Sequence, residues 1–448
     1  MSKFKKIVAL MFLVIMCIAS INTVFASGTT NGATTALAKN AKSTVGWNNV
    51  GTNAWRYFKD DGAGNLVALS GWQTIGNKTY YFHPHNNVAA TGWTTVGGRR
   101  YYFHNAGLAG NCGEMITGWR NIGKKRYYFN PSGAHGVKGA IHTGWLRIGE
   151  KTYYLNPSGT ITSTSRGELR TGWRNINGKR YNFKNNGEMN RGWRKISGKH
   201  YYFKPDGGNG SRGQMLKGLR KIGKKTYFLN NKGVRQNNRW VKVKGSWYHF
   251  NKSGVAATKW KYVKGLRYYF ESNGKLSQDV RNRVKGPYRA TINRRTNVVT
   301  IYARHGARGY TIPVKAFTCS VGRADAQTPT GTFNTTAKYR WKSLMGPTWG
   351  QYATRIVGGI LFHSVSGPRQ SIYSLPAAQY NRLGNPASAG CVRLNVRDAK
   401  WIYDNCQSGM QVTISDTAAQ PFDKPKTIKI PANQNWDPTD PAVPASQR

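Results

Sequence analysis

Ten times between residues 46 and 275 the chain returns to one short pattern, clearest in GWTTVGGRRYYF (92–103), GWRNINGKRYNF (172–183) and GWRKISGKHYYF (192–203). The copies start at Trp47, Trp72, Trp93, Trp119, Trp145, Trp173, Trp193, Leu219, Trp240 and Trp260. Three positions on stands Val or Ile. Eight positions on stands an aromatic: Trp55, Tyr80, Tyr101, Tyr127, Tyr153, Tyr181, Tyr201, Tyr227, Tyr248 and Tyr268. Both offsets are constant, whereas the distance to the next copy runs from 20 to 28 residues. The invariant part carries a Gly at offset four or five followed by a basic residue, the signal of a two-residue hairpin turn. Each copy therefore reads as a β-hairpin, with the length variation confined to the loop after it. A lone hairpin cannot bury its aromatic face. Stacked copies can, so the expectation is a β-hairpin solenoid held together by nearest-neighbour contacts.

The flanks differ in character. Residues 1–26 combine a basic start, the apolar run IVALMFLVIMCIASI and small residues around Ala26, which reads as a secretory signal peptide. Residues 27–45 read as a flexible leader and 276–287 as a linker. No later apolar run is long enough for a transmembrane segment. From 288 to 416 short strand-like segments alternate with turns, as in YRATINRRTNVVTIYAR (288–304), GYTIPVKAFTCSVG (309–322) and GGILFHSVS (358–366). One helix is expected in NVRDAKWIYDNC (395–406), with Asn395 as its N-cap, and a closing strand at 410–415. The fold class is thus mainly β, with a compact β-rich C-terminal domain carrying one helix. Residues 417–448 are Pro-rich and read as an irregular tail.

Lys and Arg total 68 against 16 Asp and Glu. Residues 27–287 hold 45 basic and 9 acidic side chains, a net of +36. Such a field draws polyanions. For an exported chain these are teichoic acids or other wall polyanions rather than nucleic acid. Simple solvation of an exposed β surface explains the same composition.

Cysteine use narrows the chemistry. Beyond the signal segment only Cys112, Cys319, Cys391 and Cys406 remain, too few for a disulfide scaffold. Cys319 and Cys406 are readable as a disulfide or as two buried thiols, and Cys112 as a free thiol. No cluster has metal-ligand spacing and no phosphate-cradling loop appears, so neither metal nor cofactor is expected. Cys391 follows Ser388, Ala389 and Gly390 and precedes the expected helix, whose positive end would favour a thiolate. A thiol nucleophile needs a base and oxyanion donors. The second domain has two histidines: His305 reads as a turn residue, and His363 ends an apolar strand. The N–H groups of Gly390 and Cys391 are candidate oxyanion donors, and Arg393 a candidate carboxylate contact. Bland alternatives are a satisfied strand-end imidazole and an ordinary surface Arg.

The order TPTGTF, HS, SAGCVRL resembles the L,D-transpeptidase catalytic domain of bacterial cell walls over roughly 288–416. The resemblance implies Cys391 as acyl-forming nucleophile, His363 as base and the Ser364 carbonyl as its orienting group. It further implies Gly390 and Cys391 as oxyanion donors and Arg393 as substrate contact. This chain has Ala389 where the family usually has His. The repeats resemble the choline- and glucan-binding cell-wall-binding family, whose choline sites are aromatic cages between hairpins. Candidate wall-binding residues are therefore Trp72, Trp93, Trp119, Trp145, Trp173, Trp193, Tyr80, Tyr101, Tyr127, Tyr153 and Tyr201, with plain core packing as the alternative reading of each. Together the two resemblances imply a secreted, wall-associated enzyme. It acts on peptidoglycan stem peptides, releasing D-Ala and forming 3–3 cross-links. Other readings are an L,D-carboxypeptidase using water and a wall-binding adhesin with an inactive domain. A papain-like hydrolase would place Cys before His, and here His363 comes first. Residues 366–387 are expected to form a lid over the site.

Overall fold

The computed structural model describes residues 43–107, 109–208 and 211–448. The signal peptide and nearly all of the leader lie outside the described residues. Two compact units are present. Of the described residues, one unit comprises those up to His142 together with Gly159–Ser163, and the other those of Thr143–Ser158 and Thr164–Arg448. Among the described residues, no helix is long and apolar enough to cross a membrane.

Every copy is an antiparallel hairpin, two-stranded except in the first, where Leu66–Ala68 adds a third strand beside Ala54–Asp60. In Gly172–Ile176 and Lys179–Phe183, for example, Trp173 faces Asn182 and Ile176 faces Lys179. The turn between them, Asn177-Gly178, has φ of 48° and 72°, the doubly left-handed geometry that Asn and Gly tolerate. Beyond each hairpin the connecting loop returns once to its own second strand. Phe82 bridges Ala89, Phe103 bridges Met115, and Phe183 bridges Met189. The same link residues reach the preceding copy: Met115 N–H donates to Thr79 O, and Met215 N–H to Arg180 O. Indoles complete the joint. Trp72 packs against Tyr101, Trp93 against Tyr127 and Trp173 against Tyr201, with ring centroids 4.9–5.0 Å apart. The residues at offset ten, such as Phe82 and Phe183, are buried, and so are several at offset eight, such as Tyr80 and Tyr181. Within each unit a hairpin thus acquires part of its core from its neighbour, the condition for stacking.

The first copy departs from the common frame. Its strands Gly46–Gly51 and Ala54–Asp60 carry a bulge between Asn49 and Gly51, and Trp47 faces Tyr57 instead of a residue nine positions on. Trp55 therefore stands in the register of Thr79, not of Tyr80. The aromatic expected at offset eight is an offset-seven residue in space.

The C-terminal domain has two sheets. The first holds β1 (Tyr288–Asn293), β2 (Val298–Ala303), β3 (Ile312–Thr318), β4 (Gly331–Asn334) and, far along the chain, β9 (Gln411–Ser415), in the order β3-β2-β1-β9-β4. The second holds β5 (Lys338–Leu344), β6 (Thr348–Val357), β7 (Ile360–Ser364) and β8 (Val392–Leu394), in chain order. The pairs β1–β9 and β7–β8 are parallel. The core joins Val299, Ile301 and Phe317 to Phe362, Val392 and Ile402. The expected helix is α2 (Val396–Asn405). The Asn395 side chain accepts from Asp398 N–H, and Val396, Ala399 and Ile402 are buried. A second, four-residue helix α1 (Ala377–Tyr380) was not expected. Val280 is buried in the same core, so the 276–287 segment is packed.

The tail is almost free of regular structure, as its composition implies, yet it is packed onto the domain. Phe422, Ile430, Asp437, Asp440 and Val443 are buried. Residues 366–387 are also packed: Leu375, Ala377, Tyr380 and Leu383 form a cluster with Val365 and tail residue Ile430. The cluster ties this segment to the domain, and of 366–387 only Ser366 lines the cavity described below, whose other wall comes from the β5–β6 hairpin.

Candidate active site

His363 near the end of β7 stands opposite Arg393 of β8 in parallel register. Cys391 lies one residue before β8. All three line a cavity of about 270 Å³ with Ser388 and Ala389. The far wall comes from the β5–β6 hairpin through Lys342, Leu344, Met345, Thr348 and Arg355. Met345 at the hairpin tip is 84% exposed, which makes it the overhanging rim.

The imidazole is buried, and its Nδ1 lies 2.6 Å from Ser364 O. A carbonyl only accepts, so Nδ1 carries the proton and the neutral ring keeps its lone pair on Nε2. Burial drives the His363 pKa down to about 4, aided by the Arg393 charge and opposed by the Ser364 carbonyl. At neutral pH the ring is a free base. Two further residues hold it. A Cβ on Gly350 would come within 2.8 Å of His363 Nδ1, so this position of β6 has to lack a side chain. Gln351 N–H donates to Ser364 Oγ at 2.9 Å, and Gln351 Nε2 donates to the fully buried Asp440 of the tail at 2.9 Å. The tail is thereby wired to the strand that carries the imidazole. Gly350, Gln351 and Asp440 were missed in the sequence. The polar interruption GQ in a strand segment was the available signal.

Cys391 is half-buried, and its thiol donates to Gly359 O at 3.5 Å. Among the described hydrogen bonds none joins it to His363. Burial raises the thiol pKa, while a Leu361 backbone donor and the Arg393 charge work against that rise. Thiol and imidazole are thus both uncharged at neutral pH. The helix-end argument does not apply as expected. Residues 392–394 form β8, and the start of α2 is already served by Asn395 and by Asp437, whose Oδ2 accepts from Val396 N–H at 2.7 Å.

Gly390 has φ of 107°, and a Cβ there would lie 2.8 Å from Ile360 Cδ1. Its carbonyl accepts from Thr328 Oγ1 at 2.6 Å, and Thr328 Oγ1 accepts from Gly322 N–H at 2.9 Å. The TPTGTF segment therefore pins the turn before the thiol from behind. The Gly390 N–H is engaged by Ser388 Oγ at 3.2 Å. Arg393 Nη1 donates to Ala387 O and Gln379 Oε1, and its buried Nε has no partner. Cys112, Cys319 and Cys406 are free and buried. Burial pushes the Cys319 and Cys406 thiols up to about 12.

In the repeats the candidate residues separate. Tyr80, Tyr101 and Tyr127 are buried core, whereas Tyr153 and Tyr201 are half-buried. Trp93, Trp119, Trp145, Trp173 and Trp193 are half-buried, and Trp72 is 41% exposed. The face that carries the indoles is shared with offsets seven and nine, not eight, because side chains alternate along a strand.

Residues 287–414 match the L,D-transpeptidase catalytic domain. Residues 69–107 and 170–214 match the choline-binding repeat, and 117–134, 143–161, 238–256 and 258–276 the cell wall binding repeat. YciB of Bacillus subtilis (strain 168), named as an L,D-transpeptidase, is 41% identical over 58 residues, 13% of this chain and 29% of that protein. The matched part therefore spans under a third of that relative's length. Choline binding protein F of Streptococcus pneumoniae is 25% identical, with a TM-score of 0.33, over 52% of this chain and 94% of that one. CbpJ of Streptococcus pneumoniae TIGR4 is 22% identical over the same shares, also with a TM-score of 0.33. The chain carries an L,D-transpeptidase catalytic domain at its C-terminus, preceded by choline-binding and cell-wall-binding repeats.

Proposed function

We propose that this is a secreted, wall-bound cysteine L,D-transpeptidase that forms 3–3 cross-links between peptidoglycan stems. The observation that carries the reading is the cavity shared by Cys391, a tautomer-fixed His363 and Arg393. Its lining includes Lys342, Arg355 and Arg393 and no carboxylate, which suits a donor stem ending in a D-Ala carboxylate.

The step starts when the Cys391 thiol leaves Gly359 O for the imidazole, a tightening common when substrate enters a resting site. His363 Nε2 takes the thiol proton, and Sγ attacks the carbonyl between the L-centre of the third residue and the terminal D-Ala. The Cys391 N–H, just ahead of the β7–β8 ladder, is the donor closest in the chain to the developing oxyanion. The C–N bond breaks, D-Ala leaves with the proton from His363, and a thioester remains. An amine on a neighbouring stem attacks the thioester carbonyl and gives its proton to His363; the C–S bond breaks, and His363 returns that proton to the Cys391 sulfur. The pair begins uncharged, so the proton moves during attack rather than before it.

Intact mass after exposure to a carbapenem tests the first half. One adduct that disappears in Cys391→Ala supports the enzyme, and no adduct on folded protein favours a wall-binding adhesin. Incubation with disaccharide-tetrapeptide then separates a cross-linked dimer from a trimmed tripeptide, the product of a carboxypeptidase. Secretion is tested by the N-terminus of the mature protein, expected near Ser27.

A further inference from the structure

The indole row of the repeats carries cations of its own. Arg100 lies over Trp93 with its guanidinium carbon 4.0 Å from the ring centroid, Arg126 over Trp119 at 4.8 Å, Arg180 over Trp173 at 4.7 Å and Arg267 over Trp260 at 4.9 Å. All four arginines stand at offset seven, two residues before the tyrosine or asparagine that faces the same Trp across the hairpin. A fifth indole, Trp193, receives Arg235 of the next link at 5.5 Å. A guanidinium on an indole takes the position an alkylammonium ligand would need, and it is attracted by the same ring quadrupole. Such a ligand would have to displace a tethered cation inside a segment of net charge +36.

Stacking also prepares the arginine for another partner. Held over the ring, a guanidinium loses less rotamer freedom on binding, and where its N–H groups face solvent it can make a forked contact with phosphate oxygens. Arg126 and Arg180 are exposed and Arg267 is half-buried, whereas Arg100 is buried and its Nη1 donates to Ser163 O at 2.6 Å, which takes it out of such a site. Other copies supply an internal contrast. Thr79, Thr152 and Thr226 occupy offset seven elsewhere, and beside Thr79 the indole of Trp72 is 41% exposed.

We propose that Arg126, Arg180 and Arg267, the offset-seven arginines over Trp119, Trp173 and Trp260, form a repeated site for the phosphodiesters of an anionic wall polymer, and that these copies do not take a quaternary ammonium. The inference rests on the repeats being the wall-facing part of the chain, and it is independent of the chemistry at Cys391.

The test uses the full mature chain, poly(glycerol phosphate) as probe, and titration followed by calorimetry and indole fluorescence. The key variant is the triple Arg126→Thr, Arg180→Thr, Arg267→Thr, which borrows the residue found at this offset in other copies. Its control, Lys124→Gln, Lys224→Gln, Lys264→Gln, removes the same number of charges at exposed hairpin turns. The arginine triple is expected to weaken polymer binding at least about tenfold and to flatten its salt dependence, by analogy with counterion release from other polyphosphates. It should also abolish the fluorescence response, while the lysine triple retains most of all three. Equal loss in both triples, or equal binding of polyglutamate, would reduce the effect to net charge and overturn the proposal. So would displacement of the polymer by choline chloride in the parent chain. Carbapenem adduct formation, read on the same samples, reports Cys391 separately, so failure of one reading leaves the other visible.

Discussion

The His363 imidazole gives its Nδ1 proton to the carbonyl of the very next residue, Ser364, across 2.6 Å. A base oriented by its own strand needs no carboxylate partner, and burial does the rest by keeping the ring neutral.

The acid limb of acylation follows from this. His363 stays unprotonated down to about 4, so the rate should fall as pH drops through about 4 and not near the ordinary 6.5. Between those values the unfolded chain binds a proton that the native ring refuses. Stability therefore also declines as pH falls through that window. Carbapenem acylation rates from pH 3.5 upward, with a parallel melting series, read both. An acid limb near 6.5 would mean an exposed ring.

Gly350→Ala should displace the imidazole, because the new Cβ would meet Nδ1 within 2.8 Å. Misplacement of a catalytic group by about 1 Å costs on the order of a hundredfold in rate. Overpacking costs about 1–3 kcal/mol of stability. Acylation kinetics and urea denaturation measured together should show the rate loss in protein that remains folded.

Thr328→Val removes the hydroxyl shared by Gly390 O and Gly322 N–H. Leaving two buried backbone groups unpaired is expected to cost about 1–3 kcal/mol each. Acylation should slow as the turn before Cys391 loosens. Thr328→Ser, which keeps the hydroxyl, should restore most of both.

Asp440→Ala strands the Gln351 amide in the interior, at a cost of about 1–3 kcal/mol. If the tail acts through Ser364, a double-mutant cycle with Ser364→Ala will be non-additive. Additive losses would make Asp440 a packing residue alone.

Alkylation of the native protein should stop at one thiol among Cys112, Cys319, Cys391 and Cys406. Only Cys391 is not fully buried. Peptide mapping after iodoacetamide identifies it, and labelling of a second site without denaturant would point to local opening.

Local signals were legible in the sequence. The Asn395 cap and the spacing of Val396, Ala399 and Ile402 announce α2, and the turn at Asn177-Gly178 announces its hairpin. Motif order brought His363, Cys391 and Arg393 to one cavity. Long-range packing was not legible. Strand β6 breaks its pattern at Gly350 and Gln351 because it serves the imidazole and the tail rather than a bare core. The tail's prolines describe its backbone and are silent on the burial of Asp437 and Asp440. An extra residue at the Asn49–Gly51 bulge moved Trp55 out of the frame that letter counting gave it. The thiol's turn toward Gly359 is a side-chain rotation, which no spacing encodes.

Within a unit, link residues such as Met115 or Met215 close their own hairpin with one backbone bridge and the previous hairpin with another. A gene segment encoding one copy therefore encodes one half of each of two matching joints. Its duplication or loss regenerates the joint at the splice, so the array can grow or shrink in whole units during descent. A change of half a unit leaves an orphaned carbonyl that selection would remove.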